Sequence, residues 1–390
     1  MTRVRVGLEV LLDAPTWLEG RRFGLITNHT GVDSRLRNNI DLFRERFPEG
    51  LAAIFGPEHG FLGSAQGGQE VTSYVDEETG LRVFSLYGPT KKPTPEMLQG
   101  LDLLVFDLQD VGARFYTYLY TMAYSLEAAA EGGLPFLVLD RPNPIGGLQV
   151  EGGVLEEGFS SFVGLYPLPV RYGLTVGELA HLFNEEFVAP KVGRKAELHV
   201  IPLEGWTRGL WFDGTGLPWV PPSPNAPGLD MATLYPGTCF FEGTNLSEGR
   251  GTTKPFEMVG APWINPRRLA GRLNDLNLEG VRFRPLYFVP TFSKYQGETC
   301  GGVHIHILDR FSLQPVRLGL QVLGVIRSMY PGDFAWRAPG PGRPHPFDRL
   351  AGTDKLRLGL EQGRPVEELV QDWEKELPGF LARRQRYLLY

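Results

Sequence analysis

The sequence predicts an α/β fold, in which a Rossmann-like parallel sheet domain without a dinucleotide fingerprint is followed by a smaller α+β C-terminal domain. Over residues 8–201, short apolar segments alternate with segments of helical periodicity, as is typical of a parallel sheet covered by helices on both faces. The chain has 390 residues, 42% of them hydrophobic, which is enough for two domains with a core each. We expect these domains to comprise residues 1–226 and 227–390.

The first domain is predicted to alternate strands with helices. Strands are expected over residues 22–28, 51–55, 81–87, 101–106, 135–139 and 196–201, and helices over residues 8–19, 36–47, 95–99, 115–131 and 176–187. Thr175 and Glu178 form a capping box before the last helix. The first strand is followed by Asn28-His29-Thr30-Gly31 instead of G-x-G-x-x-G, so we predict no nicotinamide cofactor and expect no other cofactor.

The second domain begins with a Gly-, Thr- and Glu-rich stretch over residues 237–254. We predict helices over residues 266–276, 316–329 and 366–381, and strands over residues 281–289 and 302–308. Alternation in the last strand places His304 and His306 on one face. Because no third ligand has the spacing of a metal site, we predict no bound metal.

Composition and charge exclude several kinds of partner. The net charge of −6 and the pI of about 5.8 argue against nucleic acid. No apolar run of about 18 residues exists, so we expect no membrane partner, and without a signal-peptide pattern we expect a cytoplasmic protein. Cys239 and Cys300 are compatible with buried free thiols or with one disulfide. The oligomeric state does not follow from the sequence.

Polar side chains follow five of the predicted strands, at the point where each strand ends. Because the carboxyl ends of parallel strands share one edge of a sheet, we expect a ligand crevice there. Glu58 and His59, the proton-transfer pair in this set, break an apolar run before a Gly-rich loop. Taken alone, this pair is equally consistent with a polar turn that caps a helix. The full set comprises Asn28, Glu58, His59, Tyr87, Asp107, Gln109, Asp110, Asp140, Arg141 and Asn143.

Two further segments are candidates for ligand binding. Arg114 and Tyr116 lie where a helix begins beside the same edge, although an Arg114–Asp110 ion pair is equally compatible with the spacing. In the second domain, residues 241–253 combine carboxylates, an amide, hydroxyls and an arginine with glycines, which suits a hydroxyl-rich ligand held between domains. The candidates from this loop are Glu242, Asn245, Glu248, Arg250 and Thr252.

Seven motifs resemble those of the bacterial exo-β-N-acetylmuramidases of the NamZ type. The resemblance runs from near residue 7 to the C-terminus. Its motifs are Pro57-Glu58-His59-Gly60-Phe61, residues 108–118, residues 139–144, Pro236-Gly237-Thr238-Cys239, residues 242–253, residues 290–295 and Tyr387-Leu388-Leu389-Tyr390. It implies a Rossmann-like domain joined to a smaller one, with the site in the cleft between them. It also implies hydrolysis of terminal, non-reducing N-acetylmuramic acid from peptidoglycan fragments, with the catalytic glutamate at Glu58.

The mechanism expected from this resemblance needs an acid that protonates the leaving oxygen and a group that stabilises or traps the oxocarbenium-like centre. We expect Glu58 to be the acid and His59 to orient it or to bind substrate. The second group is open between Glu242, Glu248, Asp110 and the acetamido group of the substrate. The lactyl carboxylate calls for a fork-shaped cation, for which the candidates are Arg114, Arg141, Arg171 and Arg250, with Arg250 and Arg114 ranked first.

Two other functions remain compatible with the sequence. One is a sugar- or muropeptide-binding protein without turnover, and the other is an amidase or esterase that uses the same carboxylates. A Glu-His pair at a strand end is more than binding alone requires, which favours an enzyme.

Overall fold

The computed structural model describes residues 3–390, and its main feature is a seven-stranded sheet. The strand order is β3-β4-β2-β1-β5-β6-β7, and every neighbouring pair is parallel except β3–β4. The predicted α/β class is therefore confirmed. The strands are β1 (Phe23–Thr27), β2 (Leu51–Gly56), β3 (Tyr74–Val75), β4 (Arg82–Ser85), β5 (Leu103–Asp107), β6 (Phe136–Leu139) and β7 (Leu198–Ile201).

Helices cover both faces of this sheet, and their ends follow from capping and proline chemistry. Thr175 accepts from the Glu178 backbone, so the predicted capping box of α5 is confirmed. The first predicted helix ends early, because the residue before Pro15 is disfavoured in helical conformation. The helices are α1 (Gly7–Asp13), α2 (Asn39–Arg46), α3 (Pro95–Leu98), α4 (Tyr118–Gly132), α5 (Val176–Phe183) and α6 (Ala189–Val192), with a π-helical turn over Asn184–Val188.

The strand order creates a crevice beside the centre of the sheet. The chain runs from β1 through β2 to β4 on one side, and then returns to place β5 on the other side of β1. Such a reversal of winding opens a gap between loops at the carboxyl ends of the strands. The loops after β2 and β5 therefore lie on the edge where an open α/β sheet binds ligands.

The C-terminal part of the chain contains a three-stranded antiparallel sheet of order β8-β10-β9, surrounded by helices. The helix predicted over residues 366–381 is two helices, because Pro378 cannot donate the hydrogen bond that a continuous helix requires. The elements are α7 (Leu229–Thr238), β8 (Met258–Ala261), α8 (Pro266–Asn274), β9 (Val281–Phe288), β10 (Cys300–Ile307), α9 (Pro315–Met329), α10 (Pro346–Ala351), α11 (Lys355–Glu361), α12 (Val366–Glu374) and α13 (Leu377–Arg384).

The two parts of the chain pack against each other through a shared hydrophobic core that runs from the large sheet to α9 and α12. Where α7 meets α9, a Cβ on Gly237 would lie 1.7 Å from the Pro315 carbonyl oxygen, so this contact requires glycine. The domain boundary near residue 227 stays a prediction.

Two further observations concern the cysteines and the apolar character of the helices. Cys239 and Cys300 are both free and buried, which excludes the disulfide alternative. Within residues 3–390, no helix has the length and apolar character needed to cross a bilayer.

Candidate active site

A cavity of about 830 Å³ lies between the carboxyl edge of the large sheet and the loops of the C-terminal part. Both parts of the chain supply charged and polar side chains to its wall. From the first part come Glu58, His59, Gln66, Tyr87, Tyr116 and Thr117, and from the second come Tyr235, Glu242, Asn245, Glu248, Arg250, Lys294, Tyr295 and Arg337.

Glu58 enters the cavity from the loop that follows β2 and is 9% exposed. Its Oε1 accepts a hydrogen bond from the Gly68 backbone at 2.7 Å, and its Oε2 accepts from the Thr117 hydroxyl at 2.6 Å. Gly68 can only donate, whereas the Thr117 hydroxyl can donate to an ionised carboxylate or accept from a protonated one. The carboxyl is therefore held in place in either state, as a group that gives up and regains a proton requires.

The helix predicted over residues 115–131 begins at Tyr118, directly after Thr117. Thr117 is the N-cap residue, so Phe115 and Tyr116 precede the helix and lie on the cavity wall. The N-terminus of α4 carries partial positive charge, and it is next to the Glu58 carboxyl through the Thr117 hydroxyl.

His59 is held in a fixed orientation beside Glu58. Its backbone has a φ of 71°, an uncommon value for a residue with a side chain, and its Nδ1 lies 2.8 Å from the Ala65 carbonyl oxygen. That contact places the proton of the neutral ring on Nδ1 and leaves Nε2 as an acceptor. Burial lowers the pKa of His59, and Arg250 lowers it further although Glu58 opposes the shift, so the neutral ring is favoured.

The Gly-rich loop after Glu58 connects the two parts of the site. A Cβ on Gly67 would lie 3.6 Å from Nη1 of Arg250 and 3.8 Å from Cε1 of His59. Tyr87 lies on the same wall, where burial and the charge of Glu58 raise its pKa, so its phenol keeps its proton. The first part thus offers a carboxyl, an imidazole and a phenol to one space.

An ion-pair chain forms the opposite wall. Arg250 binds Glu242 at 2.5 Å and Glu248 at 3.3 Å, and Lys294 binds Glu248 at 2.9 Å. Lys294 also donates to the backbone carbonyls of Phe241 and Leu246. These contacts hold residues 241–250 in a single arrangement against the cavity.

Arg337 differs from the other two strong bases of the wall. Among the described residues it makes no ion pair, and its guanidinium makes one long contact, 3.5 Å from the Glu242 carbonyl oxygen. Its backbone is nevertheless fixed, because Arg337 donates to the Gly243 carbonyl at 2.9 Å. Asn245 binds the same segment by accepting from the Ala335 backbone and donating to the Asp333 carbonyl.

Of the residues predicted for the site, the structure brings eight to this cavity: Glu58, His59, Tyr87, Tyr116, Glu242, Asn245, Glu248 and Arg250. The remaining predicted residues do not line this cavity, and their contacts are described below.

Arg114 is fully buried and does not reach the cavity. Its guanidinium donates to four backbone carbonyls, those of Gly153, Leu168, Leu350 and Ala351, at 2.6–2.9 Å. The alternative pair with Asp110 does not form either. Arg114 joins chain segments instead of binding a ligand, because all the oxygens that it contacts belong to the backbone.

Other polar residues at the strand ends support loops. Asn28 accepts from Thr30 within its own turn, and buried Asp110 accepts from the Gly112 backbone and from Tyr172. Burial raises the pKa of Asp110 to about 6. Asp110 is not on the cavity wall, which removes it as the second catalytic group.

The strand-end residues after β6 are likewise structural. Asp140 accepts from Gly177, Thr175 and Tyr390, and Arg141 forms a buried bidentate pair with Asp107 at 2.5 and 3.0 Å. Asn143 donates to the Leu174 carbonyl.

Arg171 and Thr252 also lie outside the cavity. Arg171 is buried beside Gln149 and the Ile145 carbonyl, and burial lowers its pKa to about 10. Thr252 lines a neighbouring groove.

Several wall residues were not predicted, chiefly Gln66, Thr117, Lys294 and Arg337. Thr117 and Lys294 stand within motifs of the resemblance, so their positions carried a usable signal. Arg337 lies in a Gly- and Pro-rich segment without periodicity, where the sequence offers no sign of what it faces.

His304 and His306 lie on one strand face with ring centroids 4.0 Å apart. Their nearest acidic neighbour is Glu257, which lies 3.7 Å from His304. Throughout residues 3–390, no group of three His, Cys, Asp or Glu side chains is arranged to hold a metal ion.

Comparison with known proteins gives full-length matches. Sequence profiles of exo-β-N-acetylmuramidase NamZ match residues 23–230 for the N-terminal region and residues 233–390 for the C-terminal region. The peptidoglycan β-N-acetylmuramidase NamZ of Bacillus subtilis strain 168 is 51% identical over 389 residues, which cover 100% of this chain and 92% of that protein.

Solved structures show the same fold. One DUF1343 family protein of Bacteroides fragilis NCTC 9343 superposes with a TM-score of 0.91 at 40% identity, covering 100% of both chains. A second from the same organism gives a TM-score of 0.77 at 32% identity, covering 100% of this chain and 99% of the other. By these matches, the chain belongs to the exo-β-N-acetylmuramidase NamZ family.

Proposed function

We propose that this protein is an exo-acting glycoside hydrolase that releases terminal, non-reducing β-linked N-acetylmuramic acid from peptidoglycan fragments. The observation that carries the proposal is the position of Glu58, a nearly buried carboxyl held by two hydrogen bonds in a cavity of about 830 Å³. The full-length similarity to a peptidoglycan β-N-acetylmuramidase supports the reaction class. The substrates are muropeptides or short glycans that carry this sugar at their end.

In the proposed reaction, Glu58 donates its proton to the glycosidic oxygen as the bond to the sugar breaks. The bonding electrons leave with that oxygen, and positive charge develops on the ring carbon and ring oxygen. The Thr117 hydroxyl and the Gly68 backbone stabilise the carboxylate that forms, because both can donate to it. His59, neutral and fixed through Nδ1, presents Nε2 as an acceptor for a substrate hydroxyl or water.

The composition of the cavity wall limits the candidates for the second catalytic group. Besides Glu58, the carboxylates on the wall are Glu242 and Glu248, and both are oriented by Arg250. We propose that one of these two, or the acetamido group of the substrate, stabilises the positive centre. Carboxyl separations of about 5 Å and of about 6.5–9.5 Å would distinguish a nucleophile from a water-activating base.

Recognition of the lactyl carboxylate is assigned to Arg337. Arg250 and Lys294 already bind carboxylates, whereas Arg337 has no acidic partner among the described residues. The wall carries three acids, Glu58, Glu242 and Glu248, and three strong bases. When Glu58 holds its proton, the wall therefore has one excess positive charge, which matches a single substrate carboxylate.

The proposed reaction class is tested with two chromogenic substrates, a 4-nitrophenyl β-N-acetylmuramide and the matching β-N-acetylglucosaminide. We expect the protein to release nitrophenol from the muramide. Its rate on the glucosaminide should be lower by at least about 100-fold, because the glucosaminide lacks the lactyl carboxylate. Cleavage of neither compound, or of the glucosaminide alone, would refute the proposed function.

A further inference from the structure

A groove of about 580 Å³ adjoins the active-site cavity, and neither the mechanism nor the family description assigns it a role. It shares Gln66 and Phe292 with the cavity wall, so the two spaces are continuous. Its remaining wall comes from residues 224–225, 251–253, 258, 286–289 and 291.

The groove begins beside the proposed acid. Gly68, which donates to Glu58, lies two residues from Gln66, and the Gln66 side chain lines both spaces. Asn225 donates to the Gln66 side chain at 3.2 Å, and this contact ties the loop to the far wall. A general acid must face the oxygen of the leaving group. The groove therefore opens beside the loop that holds Glu58, where a leaving group protonated by Glu58 would depart.

The wall of the groove combines an aromatic face with uncharged polar groups. Tyr287 is 70% exposed on the edge strand β9, next to Leu286, and Val289, directly after the strand, is 49% exposed. Hydroxyls and amides that can bind sugar hydroxyls come from Gln66, Asn225, Thr252, Thr253 and Thr291. Aromatic faces and neutral hydrogen-bonding groups together suit a pyranose ring, which has apolar faces and a polar rim.

Charge distinguishes this groove from the cavity. None of the described residues that line the groove is Asp, Glu, Lys or Arg, whereas the cavity wall has three acids and three strong bases. A peptide stem with several carboxylates would find no charged partner in the groove. An uncharged N-acetylated sugar would leave no charge unpaired.

The two loops that line the groove, residues 251–253 and residues 291–292, are connected by a backbone hydrogen bond. Thr291 donates from its backbone to the Gly251 carbonyl at 2.9 Å, and a Cβ on Gly251 would lie 2.7 Å from the Phe292 nitrogen. Arg250 faces the cavity, while Thr252 and Thr253 face the groove. The polar loop over residues 242–253 therefore serves both spaces.

We infer that this groove is the binding site for the uncharged N-acetylated sugar on the leaving side of the cleaved bond. This inference rests on the proposed function. Tyr287 is its platform: the aromatic ring stacks on a sugar face, while the threonine hydroxyls bind the rim.

The test compares two substrates of wild type and of Tyr287→Ala. One is a four-sugar glycan with terminal N-acetylmuramic acid, and the other is methyl β-N-acetylmuramide, whose leaving group is too small to reach the groove. We expect Tyr287→Ala to lower kcat/KM for the glycan by about fivefold to tenfold, through KM, and to leave the methyl glycoside within about twofold. Tyr287→Phe keeps the ring and should retain wild-type values.

The matched control is Tyr74→Ala, which removes another exposed tyrosine, 39% exposed, from the edge strand β3. This substitution should leave kcat/KM unchanged for both substrates. An unchanged glycan KM in Tyr287→Ala, or equal losses on both substrates, would overturn the inference. Equal losses together with a smaller oligomer in size-exclusion chromatography would identify Tyr287 as a contact between copies. If wild type cleaves neither substrate, the proposed function fails and the inference fails with it.

Discussion

We propose that selectivity for the muramyl carboxylate depends on a single side chain, that of Arg337. Its backbone is fixed by Gly243, and its guanidinium lies on the cavity wall without an acidic partner among the described residues. A carboxylate can engage this exposed guanidinium with two parallel hydrogen bonds.

Arg337→Met should therefore lower kcat/KM for the nitrophenyl muramide by about 10- to 100-fold, the range for loss of a charge-assisted hydrogen bond. Activity on the glucosaminide, which lacks the carboxylate, should not fall. Arg343→Met is the matched control, since Arg343 stands on the same segment and does not line the cavity. Unchanged discrimination between the two substrates in Arg337→Met would exclude this role.

The positions of some individual side chains could be predicted from the sequence, and those of others could not. The position of Glu58 and His59 on the cavity wall could be predicted because the carboxyl ends of parallel strands share one edge of a sheet. Arg114 stands in an equally conspicuous motif, yet both of its Nη atoms donate to backbone carbonyls. Whether a basic side chain meets a ligand or a carbonyl depends on segments distant in sequence, such as residues 350–351, and no local pattern encodes that contact.

At the scale of elements, the helices and strands with strong periodicity were predictable, and the short or polar ones were not. The six parallel strands of the large sheet and the capping box at Thr175 were predicted within a few residues. Strand β3 has two exposed residues and therefore no hydrophobic pattern. Helix α7 contains Pro236 near its end and is buried almost all round, so it has neither amphipathic periodicity nor favourable local propensity.

The C-terminus belongs structurally to the large sheet. The Tyr390 hydroxyl donates to buried Asp140 after β6 and accepts from the Leu203 backbone at 2.7 Å. Arg384 also donates to the Gly147 and Gly173 carbonyls. These hydrogen bonds hold the C-terminal helices against the first part of the chain.

Tyr390→Phe should destabilise the protein by about 1–3 kcal/mol, because Asp140 loses a donor and the Leu203 backbone loses an acceptor. Urea unfolding followed by circular dichroism measures this loss. Tyr330→Phe offers a comparison, since Tyr330 accepts a backbone hydrogen bond from Asn265 but binds no carboxylate. An unfolding midpoint for Tyr390→Phe equal to that of wild type would show that the C-terminal contact contributes nothing.

At the scale of the whole molecule, Arg114 connects distant segments beneath the active site. It binds carbonyls at residues 153 and 168 as well as at residues 350 and 351, and burial lowers its pKa to about 10. The cavity lies between the parts that this residue joins. Its contribution is therefore to the stability and alignment of the two walls.

Arg114→Met should reduce the free energy of unfolding by about 3 kcal/mol or more, because four buried carbonyls lose their donor. Where the variant is folded, its KM for the muramide should stay close to wild type. A raised KM without any loss of stability would return Arg114 to the list of substrate contacts.

Buried carboxyls give the molecule an unusual pH dependence. Burial raises the pKa of Asp110 to about 6 and that of Asp140 to about 7, from ordinary values near 3.8. Since the folded state holds these protons more tightly than the unfolded state, their contribution to stability is full below about pH 4 and is lost as pH rises through 6 to 7. Unfolding in urea should therefore occur at higher concentration at pH 5 than at pH 8.

Asp110→Asn should reduce that difference, because the amide keeps an acceptor oxygen for Gly112 and Tyr172 and does not ionise. The variant should be as stable as wild type or more stable at pH 8. A wild-type stability that rises from pH 5 to pH 8, or the same pH dependence in Asp110→Asn, would contradict this explanation.

We propose that Glu58 protonates the leaving oxygen, and the leaving-group dependence of Glu58→Gln tests this role. Glu70→Gln, on the same loop but outside the cavity wall, is the matched control. We predict that Glu58→Gln loses about 100- to 10,000-fold in kcat on a natural disaccharide, whose leaving group needs a proton, and much less on a dinitrophenyl muramide, whose leaving group does not. Near-wild-type release of N-acetylmuramic acid from the disaccharide, or equal losses on both substrates, would contradict the claim.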